Sequence, residues 1–290
     1  MKHYLLLHLA VIIAGFTGIL GKLISLNEGL LVWYRVLFAS LMLFVILKLF
    51  VKNNTIPFKE QWRIVKVGLF LTFHWVFFFA SIKYSNVSIG VLCYCMTGFF
   101  SSIFKPLIDR EKFRLSEMTL SVLSVFGVSL IFHFDPVYRT GIILGVISAA
   151  LAALYTIFNA RLVKKHKNLT INFYQMLGGA IGLGLLLPVY LHFFPVERFL
   201  PGWHDVFYLL FLSLVCTVGL YFALVEALRK VPVFTVNLSF NLEPIYSILL
   251  AFLFFNESQE VNFSFYIGLC IIILSVVLQT IRSMRTTACD

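Results

Sequence analysis

Charge is what this chain of 290 residues has least of: Asp, Glu, Lys and Arg together make up 12% of it. There are 13 acidic residues, and none of the four Asp lies deep in an apolar run. Paired intramembrane aspartates are therefore absent, as are Gly-x-Ser-x-Gly and His-Glu-x-x-His, which excludes the commoner hydrolase equipment. No Walker-type phosphate loop exists, so the chain does not itself hydrolyse ATP. The five cysteines form no framework. Cys93 and Cys95 are two apart, about 200° around a helix, and cannot chelate together. Cys216 and Cys270 fall in apolar runs and Cys289 in the tail, all as small fillers. No metal or other cofactor is implied. Long polar stretches are missing too, so the chain has no place for the exposed domain of a receptor. Nor does it carry the polar rings of a channel built by symmetry.

Hydrocarbon is what it has instead. Hydrophobic residues make up 60%, Phe alone accounts for 32 positions, and the mean hydropathy is +0.95. A water-soluble domain of this length cannot hide so much apolar surface. Runs long enough to cross a bilayer recur at about 4–25, 30–50, 64–82, 86–106, 115–133, 141–162, 171–191, 206–228, 232–254 and 263–283. The sequence predicts an all-α integral membrane protein of ten transmembrane helices whose main partner is the lipid bilayer. The opening "MKHYLLLHLAVIIAGFTGILGK" is too long for a signal peptide and lacks an early cleavage pattern, so it is read as a retained span. The net charge of +10 invites a nucleic-acid reading, which its distribution rejects. With the N-terminus in the cytoplasm, 18 of the 23 Lys and Arg fall inside, three outside, and Lys22 and Arg35 within spans. The positive-inside rule accounts for that asymmetry, which places both termini in the cytoplasm of a cell (inner or plasma) membrane and implies no nucleic acid.

The chain also repeats itself. A shift of 146 lays "ASIKYSNVSIG" (80–90) on "EALRKVPVFTV" (226–236), Thr97-Gly98 on Glu243-Pro244, and Glu111 on Glu257. A shift of 140 lays "WYRVLFASLML" (33–43) on "FYQMLGGAIGL" (173–183), and 139 puts Gly21-Lys22 on Ala160-Arg161. Two halves, 1–135 and 136–290, each have five helices. Five is odd, so the second half enters the membrane from the opposite side, the arrangement of alternating-access transporters. Here the sequence resembles the drug/metabolite transporter superfamily, in particular its EamA-type ten-helix members. The resemblance rests on the two repeats, Lys22, "YRVLFASLML", "FFFASIKYSNVSIGVL" and, most specifically, "NLEPIYSILLAFLFFNES". The first repeat departs from it, with Thr97-Gly98 where Glu-Pro would stand. The resemblance implies a secondary carrier, often an exporter, of amino-acid-like or other small metabolites; an intramembrane enzyme or a channel is the alternative class.

Polar groups deep in spans mark where chemistry can sit, because each is costly in hydrocarbon unless paired or wetted. Glu243, the twelfth residue of the run 232–254, heads the list. It is the candidate coupling carboxylate, with protons as the coupling ion, and Arg35 and Lys22 are the candidate ion-pair cations. Pro244 follows it as the expected helix kink. Thr235, Ser239, Glu243, Tyr246 and Ser247 share one stripe of that helix, and Asn237 and Asn241 form a second. With His74, Tyr94, Tyr155 and Asn159, the two Asn are the candidate substrate-binding residues, lining an aromatic cavity suited to a small organic solute.

Overall fold

The architecture comes from a computed structural model, which describes residues 2–50, 56–113, 115–223, 239–240 and 242–287. Among these every regular element is helical. The helices are α1 (Lys2–Leu23), α2 (Glu28–Phe50), α3 (Phe58–Lys83), α4 (Val87–Tyr94), α5 (Thr97–Asp109), α6 (Leu115–Phe134), α7 (Arg139–Val163), α8 (Asn168–Phe193), α9 (Trp203–Ser213), α10 (Glu243–Phe255) and α11 (Phe263–Thr287). Seven helical segments among the described residues are long and apolar enough to cross a membrane, and Val122–His133, Glu243–Phe255 and Phe263–Ser275 are shorter apolar helices. Leu5, Leu185, Leu253 and Phe193 stand exposed on the outside. Such a surface suits lipid, and the protein is an integral membrane protein.

The helices pack closely wherever glycine allows it. α3 runs along both α7 and α8, α2 along α8, α6 along α11 and α1 along α10. A Cβ on Gly68 of α3 would sit 2.6 Å from the Gln175 Cα of α8, and one on Gly145 of α7 would sit 2.6 Å from the Cys93 Cβ of α4. Gly178 meets Val65 in the same way. These contacts explain the small-residue stripes at Gly141, Gly145, Ala149 and Ala153 and at Gly178 and Gly182 as packing surfaces.

Three helices depart from regularity. The run 86–106, read from the sequence as one helix, is two. Tight turns close at Cys95 and Met96, whose N–H groups donate to Leu92 O (3.2 Å) and Cys93 O (3.0 Å). Thr97 Oγ1 then takes up the Tyr94 carbonyl at 2.6 Å, a local bond that competes with helix continuation. Pro244 stands at the start of a helix. α10 begins at Glu243 after a turn at Leu242, leaving Pro244 in its first turn, where a missing N–H costs nothing. The two helices α5 and α10 correspond closely. They start at 97 and 243 and end at 109 and 255, and each is closed by a non-Gly residue in the left-handed region, Arg110 (φ 56°) and Asn256 (φ 54°). The third irregularity continues α9: Leu214–Gly219 is a π-helical stretch, in which Thr217 Oγ1 donates to Leu212 O at 2.9 Å.

Candidate functional site

Tyr94, at the last turn of α4, is the hub of the polar interior. Its ring lies 5.3 Å from that of His74 and 6.2 Å from that of Phe78. Its hydroxyl is within electrostatic reach of Glu243 and Tyr155. Its position follows from the break after it: where α4 stops, the chain leaves room for the start of α10, and α10 packs on α4. Glu243 is half-buried at that start, where the positive end of the helix favours a carboxylate. Among the described residues it forms no ion pair.

His74 is buried on α3 and bound to α7. Its Nδ1 lies 2.8 Å from Ser148 Oγ and 3.1 Å from Ser148 O, and Ser148 Oγ donates in turn to His74 O at 3.1 Å. Seven residues on, Ser81 Oγ donates to Gly141 O at 2.7 Å. His74 therefore ties two helices together as well as facing Tyr94. Tyr155 and Asn159 sit one turn apart on α7 and share one partner, Gln175 of α8. Tyr155 OH donates to Gln175 Oε1 at 3.4 Å and Gln175 Nε2 to Asn159 Oδ1 at 2.9 Å. Gln175 is fully buried, and its two-sided bonding satisfies the amide there. Tyr221, just past the π-helical stretch, is within electrostatic reach of Tyr155.

The expected cations divide. Arg35 is 2% exposed and does not meet Glu243. It gives its Nε–H to Thr217 Oγ1 at 3.0 Å, and its guanidinium stacks on Trp75 with Cζ 3.8 Å from the ring centroid. It lies in electrostatic reach of His74, which joins it to the Tyr94 belt. Lys22 is elsewhere, at the end of α1, paired with Glu257 at 2.9 Å. Asn237, Asn241 and Thr235 lie outside the described residues. The structure thus joins His74 to Tyr94 by ring contact and Tyr155 to Asn159 through Gln175, stacks Arg35 on the neighbour of His74, keeps Glu243 within electrostatic reach of Tyr94, and sets Lys22 apart; this polar belt is the candidate site. Trp75, Ser148, Gln175, Thr217 and Tyr221 belong to the belt without having been singled out from the sequence. For Gln175 a signal existed, since the 140-residue shift lays it on Arg35.

Polar clusters also tie the ends of the bundle. α3, about 39 Å long at 1.5 Å per residue, has Glu60 at one end and Lys83 at the other. At the Lys83 end, Glu257 accepts from Lys22 Nζ, Val87 N and Ser88 N (each 2.9 Å) and from Ser88 Oγ (2.7 Å). Asp205 there accepts from Ser25 N (2.7 Å) and Ser25 Oγ (2.6 Å). At the Glu60 end, Arg161 pairs with Asp109 and His166 Nε2 lies 3.2 Å from Glu60 Oε2.

Comparison with known proteins agrees with this architecture. The sequence profile of the EamA-like transporter family matches residues 1–133 and 139–281. An "uncharacterized transporter" of Haemophilus influenzae is 26% identical over 88% of this chain and 86% of its own. The Bacillus subtilis "uncharacterized transporter YdfC" is 26% identical over 84% and 79%. One crystal structure superposes with a TM-score of 0.62 at 14% identity, covering 97% of this chain and 98% of that one, which shows a shared fold.

Proposed function

The chain belongs to the EamA-like transporter family, and on that premise we propose that it is a secondary carrier of the cell membrane, exporting a small organic metabolite by alternating access with protons as the coupling ion. Ten spans form two inverted five-helix halves, 1–135 and 136–290, with both termini cytoplasmic.

One observation carries this reading. The two interrupted helices begin 146 residues apart, at Thr97 and Glu243, end 146 apart, and are closed by left-handed caps 146 apart. Interrupted helices at equivalent places in two halves are what an inverted-repeat carrier uses to hold its substrate at mid-membrane. The end clusters support the same symmetry. Lys22 and its shifted counterpart Arg161 each pair with a carboxylate, Glu257 at one end and Asp109 at the other, although the 146-residue shift lays Glu257 on Glu111, and Ser25–Asp205 at one end faces His166–Glu60 at the other. Each set is placed to hold one end shut while the opposite end opens. His74, Tyr94, Tyr155 and Asn159 hold the substrate in the belt, and Asn237 and Asn241, outside the described residues, are the further candidate contacts. Glu243 is the only carboxylate among the described residues of that belt, and it binds and releases the coupling proton.

The test is flux in proteoliposomes. Substrate loaded inside should leave against its gradient when a pH gradient is imposed and stop when that gradient is collapsed. Glu243→Gln keeps the shape and removes the proton, so it should retain substrate exchange and lose gradient-driven accumulation. Wild-type accumulation in Glu243→Gln would remove proton coupling from the reading. A conductance too fast for carriage would replace the carrier with a channel.

A further inference from the structure

The Arg35 guanidinium is built into its site on three sides and left unused on the fourth. Trp75 covers one face at 3.8 Å, the Phe79 ring lies at 5.7 Å, and Thr217 takes the Nε–H. Its own backbone carbonyl accepts from Ser213 Oγ at 3.2 Å, which fixes α2 against α9. Among the described residues the buried Nη1 group has no hydrogen-bond partner, and no carboxylate pairs with the charge. A buried cation of this kind is costly unless an anion or several acceptors meet it. Its repeat counterpart Gln175 spends both ends of its amide on Tyr155 and Asn159. The contrast leaves Arg35 as the charged group of the belt with an unspent donor, beside the unpartnered hydroxyl of Tyr221. π-helical turns such as the one presenting Thr217 are frequent at functional sites.

We propose that Arg35 is the docking point for the carboxylate of an organic anion, which lies against Trp75 and extends towards His74 and Tyr94. This deepens the carrier reading and rests on it for the substrate's onward movement. The planar fork of guanidinium matches a planar carboxylate, and with Nε committed to Thr217 the Nη edge is the one offered. The stacking ring holds the fork flat and prevents it from turning to another acceptor.

The experiment is a binding titration on the full chain in lipid nanodiscs, read by intrinsic tryptophan fluorescence and by ligand-dependent thermal stabilisation. The probes are benzoate, hexanoate and succinate, each beside its neutral amide, and inorganic phosphate. At least one carboxylate should saturate and stabilise the wild-type protein, with its amide at least tenfold weaker. Trp75→Phe should lose most of the fluorescence change while still binding by thermal shift. Arg35→Gln should weaken the carboxylate at least tenfold, and Arg35→Lys, which keeps the charge without the fork, by less. Equal binding of acid and amide by the wild type overturns the proposal even if Arg35→Gln fails to fold, and so does full affinity in a folded Arg35→Gln. Phosphate binding more tightly than every carboxylate also overturns it. Failure of transport is separable: Arg35-dependent carboxylate binding with no flux in proteoliposomes leaves this site standing and removes the carrier, whereas flux without carboxylate binding does the reverse.

Discussion

Glu257 is fully buried, and each of its oxygens accepts two hydrogen bonds. Two of the donors are backbone N–H groups of the first turn of α4, so the side chain caps a helix that does not contain it. Glu257→Gln replaces an acceptor by a donor facing Lys22 or those amides. It should destabilise the protein by about 3–5 kcal/mol, read as the midpoint of denaturant or thermal unfolding in mild detergent. Lys22 keeps 30% of its side chain exposed, so solvent screens it, and Lys22→Met should cost only about 1 kcal/mol. Equal losses for the two would mean that the ion pair, and not the cap, holds the carboxylate. Residues of this kind are half legible in a sequence. Lys22 stands out as a cation in an apolar run, but its partner is 235 positions away, and spacing on one helix says nothing about such a pair. Gln175 hid for a related reason: it lies a few residues inside its helix, where an amide looks ordinary until Tyr155 and Asn159 close on it.

Whole helices are held at their closest by bare backbone. At Gly68 an added Cβ would meet backbone atoms of α8, the Gln175 Cα at 2.6 Å and O at 2.8 Å, and neither can rotate away. Gly68→Ala should therefore push α3 from α8 and cost about 1–3 kcal/mol, with Gly202→Ala, where the nearest atom is 3.8 Å away, as a near-neutral control. Thermal unfolding of the two proteins side by side decides it, and a neutral Gly68→Ala would mean that the crossing is slack. The left-handed caps give a second check on elements: Asn256→Val should cost about 1–2 kcal/mol, because a branched side chain resists that conformation, while Asn256→Gly should be tolerated. Among the described residues, helices stand where hydropathy puts apolar runs, seven of them long enough to cross a membrane, because lipid demands such runs. The interruptions at Cys95–Met96 and Leu242 were not legible there. Hydropathy averages over a full turn, whereas these breaks depend on single bonds such as Thr97 Oγ1 to the Tyr94 carbonyl.

At the scale of the whole molecule, the proposed cycle requires the two end clusters to break in turn. Cysteines replacing Lys22 and Glu257, in an otherwise cysteine-free chain, should be bridged by a bifunctional methanethiosulfonate that spans the reach of the two lost side chains, which a direct disulfide does not, and the bridge should stop flux until reductant removes it. Undiminished flux in the crosslinked protein would show that this end never opens. The offsets of 139, 140 and 146 raised the expectation of two related halves, and the structure adds that α5 and α10 start and end 146 residues apart; the contacts between distant positions needed three dimensions. The two ends, moreover, do not meet the surrounding water equally. Arg161 and Asp109 leave 50% and 26% of their side chains exposed, whereas Glu257 at the other end leaves none. Dissolved ions screen exposed charges over about 8 Å at physiological strength and reach buried ones far less. On the proposed cycle, salt weakens the Arg161 door, where both charges meet water, more than the other, where only Lys22 does, so the balance between the two facing conformers shifts with ionic strength. On that proposed cycle, the salinity of the fluid bathing the Arg161 end becomes a signal to the protein.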